Sequence, residues 1–255
     1  MTMVLDLFRL DGQVALVTGG DKGLGQGMAI ALAEAGADVA VVSRSGHNDA
    51  TLMAVEATGR RGRSLTADLG RADEAVVVVE QTARALGRLD ILVNNAGIIR
   101  RADAVETDLA EFQAVLDLNL VGVWALSQAA GRHMLAQGRG KIVNIASLLA
   151  FQGGVRVPAY TASKHAVAGL TKALANEWAG RNINVNAIAP GYMATDNTQA
   201  LRDDPDRSRQ LLERIPAGRW GTPDDLAGAV VFLASRASDY VNGHLLVVDG
   251  GWMAR

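Results

Sequence analysis

An α/β fold, a single domain built on a doubly wound sheet of seven parallel strands with helices on both faces, is what this 255-residue sequence predicts. Three observations carry that prediction. Short apolar runs alternate with longer stretches in which apolar residues recur three and four apart. The runs are nearly continuous in Val, Ile, Leu and Ala, as suits strands covered on both faces. No Gly/Ser-rich or Pro-rich linker, fixed-period repeat or low-complexity tract divides the chain.

In chain order, the strands are expected at Gln13–Val17, Asp38–Val42, Ser64–Ala67, Ile91–Val93, Lys141–Ile145, Asn184–Ile188 and Leu245–Val248. Between them, Met28–Ala35, Glu74–Ala85, Leu109–Ala136, Tyr160–Ala179 and Pro223–Ala234 read as Ala-rich helices able to pack close to a sheet. Every crossover is expected to carry a helix. Residues 195–212 break the pattern: the segment is polar, rich in Asp and Arg, and interrupted by Pro205. It reads either as a lid over a site or as a solvated helix pair.

Composition removes several function classes. The 25 basic and 27 acidic residues nearly cancel and form no block of one sign, so nothing here would grip a nucleic acid or an anionic membrane. The absence of cysteine excludes a thiolate nucleophile and thiolate-ligated metal, and the four His are scattered, so no metal site is expected. Asp6, Arg9 and Asp11 interrupt the N-terminal apolar residues, and no apolar run reaches the length of a span. The expectation is a soluble, cytoplasmic protein.

Thr18-Gly19-Gly20-Asp21-Lys22-Gly23-Leu24-Gly25 follows the first strand and opens a helix. A glycine run alone is only a tight turn, but between strand and helix it makes a pyrophosphate cradle: backbone can approach the ligand, and helix amides favour its charge. Its Gly-x-x-x-Gly-x-Gly spacing is a variant, one residue longer than the commonest dinucleotide loop. The second strand ends in Ser43 and Arg44, where an acidic residue would accept bonds from a ribose 2′-hydroxyl; hydroxyl and guanidinium suit a 2′-phosphate, with Lys22 as a second cation. The alternative leaves both bases in solvent and the ribose hydroxyls as the only contact. Asp68-Leu69 after the third strand would set a carboxylate by an adenine amino group, and Asn94-Asn95-Ala96-Gly97 closes the fourth strand.

Ser147 follows the fifth strand, and Tyr160 and Lys164 stand four apart at the start of a long helix, hence on one face. A cation held near the phenol favours the phenolate, so Tyr160 is expected to be a proton-transfer group with a lowered pKa. Ser147 would polarise the same substrate oxygen. By itself the Tyr–Lys spacing is equally that of a solvated helix face; the glycine loop is what tips it.

Thr18-Gly-x-x-x-Gly23-x-Gly25, Asn94-Asn-Ala-Gly97, Asn119, Ser147, Tyr160-x-x-x-Lys164 and Pro190-Gly191, in that order, resemble the short-chain dehydrogenase/reductase family over essentially the whole chain. The resemblance implies a Rossmann-type fold that binds NAD(P)(H). It also implies that Tyr160 exchanges the proton, that Ser147 bonds the substrate oxygen, and that Lys164 holds the nicotinamide ribose while lowering the Tyr160 pKa. Asn119 would anchor a relay water, Gly191 and Thr195 would lie by the nicotinamide, and the assembly would be a homotetramer. Residues 23–29, 151–164, 182–199, 215–223 and 238–252 are similar to a subgroup acting on deoxy sugar acids, the 2-dehydro-3-deoxy-D-gluconate 5-dehydrogenase and 2-deoxy-D-gluconate 3-dehydrogenase type. That subgroup is expected to prefer NAD(H), whereas Ser43 and Arg44 argue for NADP(H).

A sugar-acid substrate brings a carboxylate and hydroxyls, so its pocket needs a cation and polar partners. Arg100, Arg101, Gln152 and Arg156 are available; Arg156, one turn before Tyr160, is the first choice for the carboxylate, with Gln152 beside it, and reads otherwise as a salt-bridging surface arginine. The alternatives are the same chemistry on gluconate, a polyol or a 3-oxoacyl thioester, and a catalytically silent dinucleotide-binding scaffold.

Overall fold

The structure is a computed structural model that describes residues 3–255, so the first two residues of the domain expected over 1–255 lie outside it. Val, Ile, Leu and Ala runs form the strands, and period-2 alternation sends their side chains to opposite faces, both covered by helices. In order these are β1 (Val14–Thr18), α1 (Gly23–Glu34), β2 (Asp38–Ser43), α2 (Asp49–Ala57), β3 (Gly62–Thr66), α3 (Ala72–Leu86) and β4 (Ile91–Asn94). Then come α4 (Leu109–Leu116), a π-helical turn (Asp117–Gly122), α5 (Val123–Gln137), β5 (Gly140–Ile145), α6 (Pro158–Trp178) and β6 (Ile183–Pro190). The chain closes with α7 (Gln199–Arg202), α8 (Pro205–Arg214), α9 (Ala227–Ala234) and β7 (Leu245–Val248).

All seven strands are parallel, in the order β3-β2-β1-β4-β5-β6-β7. On one face, Leu16, Val42, Leu92 and Ile142 pack against Val78 of α3, Leu126 of α5 and Leu174 of α6. On the other, Val17, Val41, Val93 and Val143 pack against Met28 and Leu32 of α1 and Val230 of α9. The order reverses between β1 and β4, whose C-terminal ends part to leave a crevice where ligands bind in such sheets.

Each expected strand is present within two residues of its expected ends. The helix expected over Leu109–Ala136 is interrupted by the π turn, a feature that hydrophobic spacing does not report. By length and apolar composition the run Leu109–Gln137 would also pass for a membrane span, which the sequence reading did not register; here it lies along the sheet and buries Leu126, Ala129 and Met134 in the core. Helix α2 was not located in the sequence because its turns bury only Thr51 and Val55 and leave Met53 exposed, so it lacks an apolar stripe. The 195–212 segment forms α7 and α8, and Pro205 occupies the first turn of α8, after Asp204 accepts hydrogen bonds from the Asp206 and Arg207 amides as N-cap.

Candidate active site

Helix α6 begins at Pro158 and sets Tyr160 and Lys164 one turn apart. Lys164 is buried; its Nζ donates to the Ile145 carbonyl at 2.6 Å and lies 5.4 Å from the centre of the Tyr160 ring. Ser147, just past β5, starts the short turn Leu148–Ala150 and accepts from the Leu149 amide. Asn119 is buried in the π turn, where its Oδ1 accepts from the Ile98 amide at 2.9 Å and its Nδ2 donates to the Ile98 carbonyl at 2.9 Å and to Ser163 Oγ at 3.3 Å. Ser163 Oγ donates in turn to the Tyr160 carbonyl at 2.7 Å. Asn119 is thus tied through Ser163 to the Tyr160 backbone. Ser163 escaped the sequence reading, although its place three residues after Tyr160 puts it on the turn facing Asn119.

The expectation that Lys164 lowers the Tyr160 pKa does not hold. Burial raises the Tyr160 phenol, and the Ser147 hydroxyl and Arg101 guanidinium only partly oppose that rise. Burial likewise pulls Lys164 down to about 8. The physical reason is that protein around the pair penalises both charged forms, while the ammonium is bonded to a backbone carbonyl.

Two cavities meet at Tyr160 and Ser147. One, a cleft of about 440 Å³, is walled by Gly19, Lys22, Gly23, Leu24 and Gly25, by Asn95–Gly97, by Lys164, Pro190 and Gly191, and by Thr195. A Cβ on Gly25 would lie 2.1 Å from the Gly19 carbonyl oxygen, so only glycine lets loop and helix pack this closely. No side chain caps α1, which leaves its first amides for an anion. Thr18 Oγ1 accepts from the amides of Asn95 and Ala96, and Asn95 Nδ2 donates to the Thr18 and Gly19 carbonyls, so Asn95 braces the glycine loop while lining the cleft. An uncapped helix start, a side-chain-free cradle and a cleft of this volume fit a dinucleotide.

The second cavity, about 410 Å³, shares Ser147, Tyr160, Pro190 and Gly191 with the first. Gln152 lines it as expected, together with Arg101, Tyr192, Arg207, Arg214 and Trp252; no acidic residue does.

The family described as enoyl-(acyl carrier protein) reductase matches residues 19–253. The 2-dehydro-3-deoxy-D-gluconate 5-dehydrogenase of Dickeya dadantii (strain 3937) is 58% identical over 99% of this chain and 100% of its own. An Agrobacterium tumefaciens structure assigned as a 2-deoxy-D-gluconate 3-dehydrogenase with bound NADP is 53% identical, with a TM-score of 0.92 over 98% of this chain and 100% of that one. A short-chain type dehydrogenase/reductase from Mycobacterium marinum is 38% identical, with a TM-score of 0.94 over 99% and 100% of the two chains. This chain belongs to the short-chain dehydrogenase/reductase family.

As a short-chain dehydrogenase/reductase it is an NAD(P)-dependent oxidoreductase acting on CH–OH groups. Within that site several expected residues fall elsewhere. Arg156 does not line the substrate cavity: its backbone is left-handed, with φ 64°, and its Nε pairs with Asp103 at 2.9 Å on the surface. Arg100 pairs with Glu111 in the same way, which leaves Arg101 as the arginine of this loop that reaches the cavity. Lys22 lines the cleft as expected and pairs across its mouth with Asp196 at 2.6 Å, both side chains exposed. Ser43, Arg44, Asp68 and Leu69 lie outside the cleft walls: Ser43 Oγ accepts from the Gly46 amide, Asp68 from the Gly70 amide, and Leu69 is buried. Arg44 is exposed and makes no ion pair among the described residues. Arg207, Arg214 and Trp252 were not singled out as site residues in the sequence, because only the fold brings α8 and the chain end to this cavity.

Proposed function

We propose that this dehydrogenase interconverts a secondary alcohol and a ketone on a keto-deoxy sugar acid, with 2-dehydro-3-deoxy-D-gluconate as the first candidate substrate and NADP(H) as the favoured cofactor. The observation that carries the reading is the junction at Tyr160 and Ser147 between a glycine-walled cleft and an arginine-lined, acid-free cavity. The Dickeya relative's activity supports the substrate. Exposed, unpaired Arg44 at the end of β2 and the NADP held by the Agrobacterium relative support the phosphate-bearing cofactor.

The nicotinamide supplies or accepts the hydride when bound. The α1 amides and glycine loop hold the pyrophosphate, with Ala96, Gly97, Gly191 and Thr195 along the rest of the cleft. In the reducing direction Tyr160 Oη, kept protonated by its raised pKa, gives its proton to the substrate oxygen, and Ser147 Oγ donates a hydrogen bond to the same atom. The Lys164 ammonium serves the nicotinamide ribose, and Asn119 holds the Tyr160 turn through Ser163 and offers an anchor for a relay water. A homotetramer in the cytoplasm completes the proposal; Leu109, Val121 and Trp124, exposed along α4, the π turn and α5, give copies of the chain an apolar face to share.

Tyr160→Phe tests the mechanism. Cofactor binding, followed by reduced-nicotinamide fluorescence, should be kept, while turnover should fall by about 10²- to 10⁴-fold. Unchanged turnover would remove Tyr160 from the chemistry.

A further inference from the structure

Helix α8 sorts its charges by face. Arg207, Gln210, Leu211 and Arg214 recur at the spacing of one helical side and all line the substrate cavity. Arg209, on the other side, pairs with Asp206 at 2.8 Å and Glu213 at 4.0 Å. No such partner serves the cavity side. Arg207 finds Gln210 Oε1 at 3.2 Å and no carboxylate among the described residues, and the Arg214 guanidinium stacks 3.9 Å over the Trp252 ring. Two exposed guanidinium groups therefore line an open cavity whose walls carry no acid among the described residues, an arrangement that suits an anion.

Trp252 supplies an independent sign. It is 4% exposed, lines the same cavity, and its indole Nε1–H has no hydrogen-bond partner. A buried donor without an acceptor costs free energy that an arriving oxygen would recover. The wall is braced from behind: Leu211 packs with Leu148, Ile215 and Trp252, and Arg255 donates to the Glu213 and Arg214 carbonyls at the end of α8. The helix that carries the arginines, and the Trp252 ring, are thus held in place before a ligand arrives.

The reacting groups stand elsewhere. Ser147 and Tyr160 are at the junction with the cofactor cleft, which Arg207, Arg214 and Trp252 do not touch. Burial raises the Tyr192 phenol and Arg207, Arg214 and Arg101 partly oppose that rise, whereas at Tyr160 the opposing groups are Ser147 and Arg101.

Resting on the sugar-acid reading above, we propose that Arg207, Arg214 and the Trp252 indole N–H are the carboxylate receptor of the substrate cavity, and that their separation from Tyr160 selects a carbinol remote from the carboxylate. The acid end is anchored on α8, the chain of the sugar runs along the cavity, and the far carbinol meets Ser147 and Tyr160. Regiochemistry is then set by the span between receptor and proton donor.

The test compares 2-dehydro-3-deoxy-D-gluconate with its C1 carboxamide in the full-length enzyme. Arg207→Met and Arg214→Met should raise KM for the acid about 10- to 100-fold, and Trp252→Phe about 2- to 10-fold, while KM for the carboxamide stays within about twofold of wild type in the two arginine variants. Arg209→Met, on the outer face, should change neither substrate, and Arg207→Lys should recover part of the loss for the acid. NMR of the product should place the new carbonyl or hydroxyl at the end away from C1. Equal losses on acid and carboxamide would show that α8 matters only to the fold of the lid and would overturn the receptor. So would silent Arg207 and Arg214 variants beside an acid-selective loss in Arg101→Met, which would put the carboxylate by Tyr160. A wild-type enzyme silent on sugar acids but active on neutral ketones would instead refute the substrate reading, and the receptor with it.

Discussion

Tyr160 and Lys164 illustrate what spacing can and cannot report about a residue. Their four-residue separation places them together, and the structure keeps them together, but the pKa directions come from burial by segments far away in sequence. The Lys164 ammonium titrates near 8 in the folded protein against 10.5 for an ordinary lysine. Between those values the unfolded chain binds a proton that the folded chain does not, so this group adds stability as pH rises across the window. Below about 8 the penalty of its burial is fully present, and above 10.5 it is gone. Lys164→Met should remove that rise, as denaturant unfolding at the two ends of the window would show; a variant keeping the wild-type slope would contradict the assignment. Arg156 takes the second of its two readings: loop position suggested the cavity, but a left-handed φ and Asp103 direct it outward.

At the scale of elements, α8 is the part whose role needed the fold. Its composition marked it as unlike the rest, yet which arginines face inward depends on how Leu211 seats the helix. Leu211 is 3% exposed and packs with Leu148, Ile215 and Trp252. Leu211→Ala should cost about 2–5 kcal/mol of stability through lost burial and the space left behind. Because the arginines ride on the same helix, KM for the sugar acid should rise more than KM for the cofactor. Equal KM values in variant and wild type would detach the lid from substrate binding. The π turn under Asn119 and the short α2 went unread, since one is a local change in hydrogen bonding and the other buries too few residues to leave a stripe.

Across the whole molecule, the strand reversal between β1 and β4 gathers the working segments at one edge of the sheet. The glycine loop follows β1, Asn95–Gly97 follow β4, Ser147 follows β5 and Gly191 follows β6. The motifs were legible, because each is a local piece at one strand end; the strand order that gathers them came with the fold. The second cavity was not legible, because its walls combine the β4–α4 loop, helices α7 and α8 and the last residues of the chain. Lys22 and Asp196 join the glycine loop to the segment leading into α7 across the cleft mouth, so the two cavities share one rim.

Initial rates with 2-dehydro-3-deoxy-D-gluconate and its reduced relatives, run in parallel with NAD(H) and NADP(H), test the central claim most directly. Saturable turnover, with kcat/KM favouring NADP(H) and the preference lost in Arg44→Ala, is the predicted result. No turnover of any of these sugar acids with either cofactor would contradict it.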